Sequence, residues 1–139
     1  MRTRILESIN DIQSGEWNAL LPDSNPFVRH EFLAALEDSG CASAGTGWQP
    51  MHITCEASDG QLIGAMPLYL KNNSYGEFVF DFSWANAYQQ AGLRYYPKLV
   101  SAVPFTPATG PRLLAGPGDN IRGTVEETLL VTARELASS

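Results

Sequence analysis

Two alternating runs joined by turn chemistry constrain this chain more than any other feature. Met51, Ile53, Cys55 and Ala57 alternate with His52, Thr54 and Glu56, and Leu62, Met66, Leu68 and Leu70 then share a face. Ser58-Asp59-Gly60 lies between the runs and has the composition of a tight turn, so an antiparallel hairpin is predicted there. Pro67 has no N–H to give to a ladder, which predicts a bulge or a local edge. A further apolar run, Lys98 to Val103, predicts another strand beside the hairpin. The hairpin and this strand give a central, mostly antiparallel sheet.

The remaining segments alternate between helix and strand. Thr3 to Ile9 predicts a first strand. Ser14 is a candidate N-cap for a helix through Leu21, with Trp17, Leu20 and Leu21 inward. Asn25-Pro26 suits the N-cap and first turn of the next helix, where Val28, Phe32 and Leu36 recur at helical spacing and Gly40 ends the run. Residues 41–47 are small and polar and predict a mobile loop. Phe78, Phe80 and Phe82 predict a short extended segment. Trp84, Tyr88 and Ala91 fall at helical spacing before Gly92. A last helix can begin at Asn120 or at Thr124, with Val125, Leu129, Ala133 and Leu136 as its apolar face. Interleaved elements of both kinds make the class mixed α and β, an α+β fold.

The chain has 139 residues, enough for one domain with a real core. Its 44% hydrophobic and 17% charged content is that of a globular chain. A net charge of −6 argues against general nucleic-acid binding. No apolar run approaches the length of a membrane span, and the N-terminus has no apolar signal core, which predicts a cytoplasmic protein. Cys41 and Cys55 stand in no metal or redox spacing and predict free thiols. His30 and His52 are isolated in sequence, and no metal site is expected.

Four stretches carry a family resemblance: Asn25-Pro26-Phe27-Val28-Arg29-His30-Glu31-Phe32-Leu33; Pro67-Leu68-Tyr69-Leu70-Lys71; Ser74-Tyr75-Gly76-Glu77-Phe78-Val79-Phe80-Asp81; and Tyr96-Pro97-Lys98-Leu99 with Val103-Pro104-Phe105-Thr106-Pro107. They resemble the Fem-like peptidoglycan biosynthesis/recognition family of bacteria, within the GNAT, or acyl-CoA N-acyltransferase, superfamily. The resemblance implies a GNAT-like central sheet flanked by helices. It also implies transfer of an acyl or aminoacyl group to an amine, from acyl-CoA or aminoacyl-tRNA, on a small-molecule or cell-wall precursor substrate. Members of that family are longer, so residues 1–139 are expected to be a single GNAT-like domain in an incomplete N-terminal portion, without the second domain. The missing later strands would leave the strand after Tyr96 with an open edge, which predicts a homo-oligomer. The alternative class is a non-catalytic recognition or assembly module that binds a cell-wall precursor or a partner subunit.

Two groups of candidate site residues follow. Tyr95 to Arg112 opens from a strand that stops at Pro104 into a Pro/Thr/Gly-rich loop and then a helix. Free backbone N–H groups in such a place can hold an anion, with Lys98, Phe105, Thr106, Thr109, Gly110 and Arg112 as ligand-binding candidates. Equally, the prolines can simply end a strand. The usual GNAT pyrophosphate loop is Arg/Gln-x-x-Gly-x-Gly/Ala, whereas here Pro107-Ala108-Thr109-Gly110-Pro111-Arg112 stands in its place and two prolines remove N–H donors. Around the other loop, Tyr69 and Lys71 are ligand-binding candidates, and Glu77, Asp81 and Tyr75 are catalytic candidates. Acyl transfer to an amine needs a base and a group that holds the tetrahedral oxyanion. The bland reading is a solvated hairpin end. Trp84, Tyr88, Tyr95 and Tyr96 could stack on a ligand, although aromatics at such spacing are more often core.

Overall fold

A computed structural model describes residues 1–22, 25–73, 82–104, 112–116 and 119–138. Its elements are β1 (Arg2–Leu6), α1 (Ser14–Asn18), α2 (His30–Asp38), β2 (Trp48–Pro50), β3 (His52–Glu56), β4 (Leu62–Met66), β5 (Tyr69–Lys71), α3 (Phe82–Gln90), β6 (Lys98–Val100) and α4 (Asp119–Ala137). The result is an α+β fold with antiparallel pairing, as the sequence predicts. The strands form two three-stranded sheets rather than one, in the orders β1-β3-β4 and β2-β5-β6.

The two sheets are one long hairpin, broken where its prolines fall. Trp48 to Glu56 is interrupted after Pro50, and Leu62 to Lys71 is interrupted at Pro67. Neither proline can donate to a ladder, so pairing lapses and the strands bend. The join is held by Met51 N–H donating to Leu68 C=O at 2.9 Å. At the hairpin tip Gly60 has φ +87°, and the Asp59 side chain accepts from Gln61 N–H at 3.0 Å. The strand expected over residues 98–103 is shorter. After Val100 the chain turns, and Ser101 donates its hydroxyl to Pro67 C=O at 2.6 Å. Beyond Arg112 the chain crosses to the first sheet, where Leu114 and Ala65 exchange two backbone bonds of 2.8 Å. Among the described residues no strand pairs the outer edge of β6, the edge at which the sequence predicts association.

Helices cover both faces of the first sheet. Val125 and Leu129 of α4 pack with Ile53, Cys55 and Met66 on one face, while Trp17, Leu20 and Leu33 pack with Ile9, Leu62 and Ala65 on the other. Gly64 leaves room for α4, because a Cβ there would collide with the Val125 side chain. All five residues of β3 are therefore buried. A third cluster, Ala42, Trp48 and Tyr69, lies on the second sheet.

Several boundaries differ from the sequence expectation. The first strand ends at Leu6, and Ile9–Asp11 is a 3-10 turn. Ser14 lies inside α1 and is not its cap. Asn25 does cap, accepting from Phe27 N–H at 3.0 Å, but it caps a separate 3-10 turn at Pro26–Val28. Residues 41–47, expected to be a mobile loop, include a 3-10 turn in which Thr46 Oγ1 accepts from Ser43 N–H and donates to Cys41 C=O. The extended segment expected at Phe78 and Phe80 lies outside the described residues, and Phe82, expected to continue it, is instead the first residue of α3.

Candidate functional site

Strand pairing builds the site. In β5, Tyr69 and Lys71 are two residues apart and share a face. The antiparallel register with β6 places Lys98 opposite Lys71, and Val100 opposite Tyr69. On the other side β2 places Trp48 opposite Lys71. Tyr69, Lys71 and Lys98, all ligand-binding candidates, thus stand together on one face with Trp48. Tyr69 and Lys71 are fully enclosed, whereas Lys98 is half-buried and reaches solvent.

Each side chain is held by its surroundings. Lys71 Nζ sits 3.9 Å from the centre of a Trp48 ring and donates to Asn73 Oδ1 at 3.2 Å. Lys98 Nζ lies 5.1 Å from the centre of the Tyr95 ring and 5.6 Å from that of Tyr96. The Tyr69 ring meets Trp48 and His52 edge-on, at 5.2 and 5.1 Å. Its hydroxyl is buried without a hydrogen-bond partner among the described residues. Burial pushes the Tyr69 phenol far above its ordinary ionisation range, and the nearby charge of Glu37 adds to that shift. Arg112 is half-buried, and loss of water around its guanidinium pulls its pKa down. Glu77, Asp81, Tyr75, Phe105, Thr106, Thr109 and Gly110 lie outside the described residues.

Behind this face lies a polar network that sequence spacing did not reveal. Glu37 falls one turn after the buried Leu33, on the inner side of α2. Its carboxylate accepts from Ser8 Oγ at 2.9 Å, from Ile9 N–H at 2.9 Å and from His52 Nε2 at 2.9 Å. On the other ring edge, Leu68 N–H donates to His52 Nδ1 at 3.2 Å. Nδ1 is thus an acceptor, which puts the ring proton on Nε2, facing Glu37. Because Leu68 immediately precedes β5, His52 holds the start of the strand that carries Tyr69 and Lys71. His30 also has a structural role, with Nε2 2.8 Å from both Ile9 C=O and Ile12 C=O. The only sequence signals were a histidine inside an apolar strand and a glutamate on a helix's inner stripe.

Of the three groups only the Lys98 ammonium reaches solvent, where it can meet an anion, while Tyr69 and Lys71 stand enclosed behind it. The profile of a family described as FemAB-like, peptidoglycan biosynthesis/recognition, matches residues 8–139. The chain belongs to the FemAB-like family. No curated protein and no solved structure matches it. In this FemAB-like chain, no described helix is long and apolar enough to cross a membrane. Among the described residues, no group of three or more His, Cys, Asp or Glu side chains could hold a metal.

The buried phenol makes stability depend on alkaline pH. A tyrosine in the unfolded chain ionises near about pH 10, and Tyr69 in the folded chain does so only well above that. Above about pH 10 the unfolded state therefore releases a proton that the native state keeps. Stability is full below that pH and falls as pH rises, by at most about 1.4 kcal/mol per pH unit for this group. Tyr69→Phe is expected to remove this part of the alkaline loss and to leave stability at pH 7 equal or slightly higher, since an unbonded buried hydroxyl is removed. Urea unfolding at pH 7, 10 and 11 measures both effects.

Proposed function

We propose that the chain is a Fem/GNAT-like transferase domain that moves an acyl or aminoacyl group to an amine of a cell-wall precursor. The observation that carries this reading is the solvent-reaching Lys98, which the β5–β6 register sets over the enclosed Lys71. Membership of a family tied to peptidoglycan biosynthesis or recognition supports the substrate context. The donor is an acyl-CoA or an aminoacyl-tRNA. The acceptor amine forms a new bond to the donor's carbonyl carbon, and the thioester or ester bond to the carrier breaks. A base, Glu77 or Asp81 with Tyr75 assisting, takes the proton from the amine, and the leaving sulfur or oxygen is protonated. Lys98 and Arg112 hold the anionic part of the donor.

The test is product formation. The full chain is incubated with an amine-bearing muropeptide precursor and, separately, acyl-CoA or aminoacyl-tRNA, and the mass increment of the acceptor is followed. Lys98→Ala and Arg112→Ala are each expected to lower kcat/KM by about 10- to 100-fold, the range of one charged hydrogen bond. Absence of product with either donor, in a chain whose fold is intact, would sink the transfer reading. One observation favours a binding-only module instead: Tyr69 and Lys71 are wholly enclosed, which suits a rigid scaffold. In that case the precursor binds and no mass increment appears.

A further inference from the structure

The joint between the two sheets is held by a histidine ring. Met51 and Leu68 face each other there, between the Pro50–Tyr69 and Ile53–Met66 pairs. Hydrogen-bonded residues of an unbroken antiparallel ladder exchange both of their N–H···O bonds. Here Met51 N–H donates to Leu68 C=O at 2.9 Å, but Leu68 N–H donates to His52 Nδ1 at 3.2 Å. An imidazole nitrogen thus stands in for a backbone carbonyl. Pro50 and Pro67 bring no N–H to the joint, so each remaining bond carries more of the hold.

The ring is fully enclosed, and its two nitrogens act in opposite senses. Nε2–H donates to Glu37 at 2.9 Å, whereas Nδ1 accepts. Among the described residues, the titratable groups facing the ring are Glu37 of α2 and the Tyr69 phenol of β5. From α1 it meets Trp17 edge-on at 6.0 Å, and β1 sets Leu6 opposite it. A second proton on the ring would keep the Glu37 contact, as an ion pair. It would not keep the Leu68 contact, because Nδ1 would become a donor facing a donor. His30 is the contrast. Its Nε2 lies 2.8 Å from the Ile9 and Ile12 carbonyl oxygens, so it is held as a donor and a second proton leaves both contacts in place.

We propose that His52 is a pH-responsive latch between the sheets: protonation of Nδ1 releases Leu68 N–H and loosens β5 from the first sheet, while the His52–Glu37 pair stays closed. β6 hangs on β5, with Lys98 opposite Lys71, so the solvent-reaching Lys98 shifts with the released strand. The latch depends only on the bonds at the joint, and it stands or falls apart from the transfer reading.

The test is nuclear magnetic resonance of the 15N-labelled full chain between about pH 8 and 5, where histidine charge ordinarily changes. The His52 ring nitrogens report the second proton, and the Leu68 amide reports its bond. Both are expected to move with one midpoint. Across it, the Leu68 amide is expected to lose about tenfold of its protection against hydrogen exchange, after correction for the intrinsic rate, the weight of one buried bond. The Ile53 and Cys55 amides of β3 are expected to stay protected. In His52→Asn the side-chain oxygen can still accept from Leu68 but takes no proton, so the step is expected to vanish. Three results overturn the proposal: a ring that takes no second proton in this range, a Leu68 amide that stays protected after the ring is protonated, or the same step persisting in His52→Asn, which would assign it to Glu37. The first two are read on the wild-type chain and hold even if the variant fails to fold.

Discussion

Glu37→Ala is expected to destabilise the fold by about 2–6 kcal/mol, since it strands two buried donors. The carboxylate is where three separate elements are tied. Ser8 and Ile9 bring the turn after β1, His52 brings β3, and Glu37 itself brings α2. Removing it leaves the Ile9 N–H and the His52 Nε2–H without their acceptor, and each such buried donor costs about 1–3 kcal/mol. The His52 ring would also be free to turn, which loosens its bond to Leu68 N–H and the start of β5. Glu37→Gln should cost less, because its carbonyl oxygen still accepts while its amide now faces one of the donors. Urea midpoints at constant m-value measure both variants. A loss under about 1 kcal/mol for Glu37→Ala would mean that water or another side chain takes over the donors.

This network also marks the limit of what spacing reveals. The hairpin, its Gly60 turn, the stop at Gly92 and the apolar face of α4 depend on local periodicity and turn chemistry, and all were legible. The two-residue alternation of β3 predicts one wet face. The structure instead covers both faces with helices, and His52, Thr54 and Glu56 are buried as well. His52 and Glu56 find partners elsewhere in the fold, at Glu37 and at Arg2 and Arg4, whereas the Thr54 hydroxyl has none among the described residues. Glu37 is fifteen positions from His52, across a loop, and no local pattern links the two. The break into two sheets was half legible. Pro67 signalled it, but its counterpart at Pro50 lies before the run that the alternation marked.

The candidate site divides in the same way. Tyr69, Lys71 and Lys98 could each be named from loop chemistry and resemblance. That they share a face follows from the β5–β6 register, which pairs residues 27 positions apart at Lys71 and Lys98. For Trp84 and Tyr88 the helical period was right and the expected side was wrong. Periodicity says that residues share a face, but only the packing decides whether that face meets the core. Here α4 and the first two helices enclose the first sheet, and α3 leaves its aromatic side open.

Trp48→Ala is the other large expected effect, about 3–5 kcal/mol, as for other buried large aromatics. Trp48 is fully buried and forms, with Ala42 and Tyr69, the cluster on the second sheet. Its removal opens a cavity between β2 and the chain around Leu36 and Ala102, which pack against that cluster. It also removes the ring beneath the Lys71 ammonium, and a desolvated cation–π contact contributes about 2 kcal/mol. The two losses overlap, so they are not summed. Trp48→Phe keeps a ring and part of the volume and should lose less. Thermal or urea unfolding ranks the three proteins. If Trp48→Phe were as damaging as Trp48→Ala, the indole itself, and not an aromatic face under Lys71, would be what the site requires. If neither variant lost stability, the second sheet would not depend on this cluster. The geometry predicts a clear ordering, wild type above Phe above Ala.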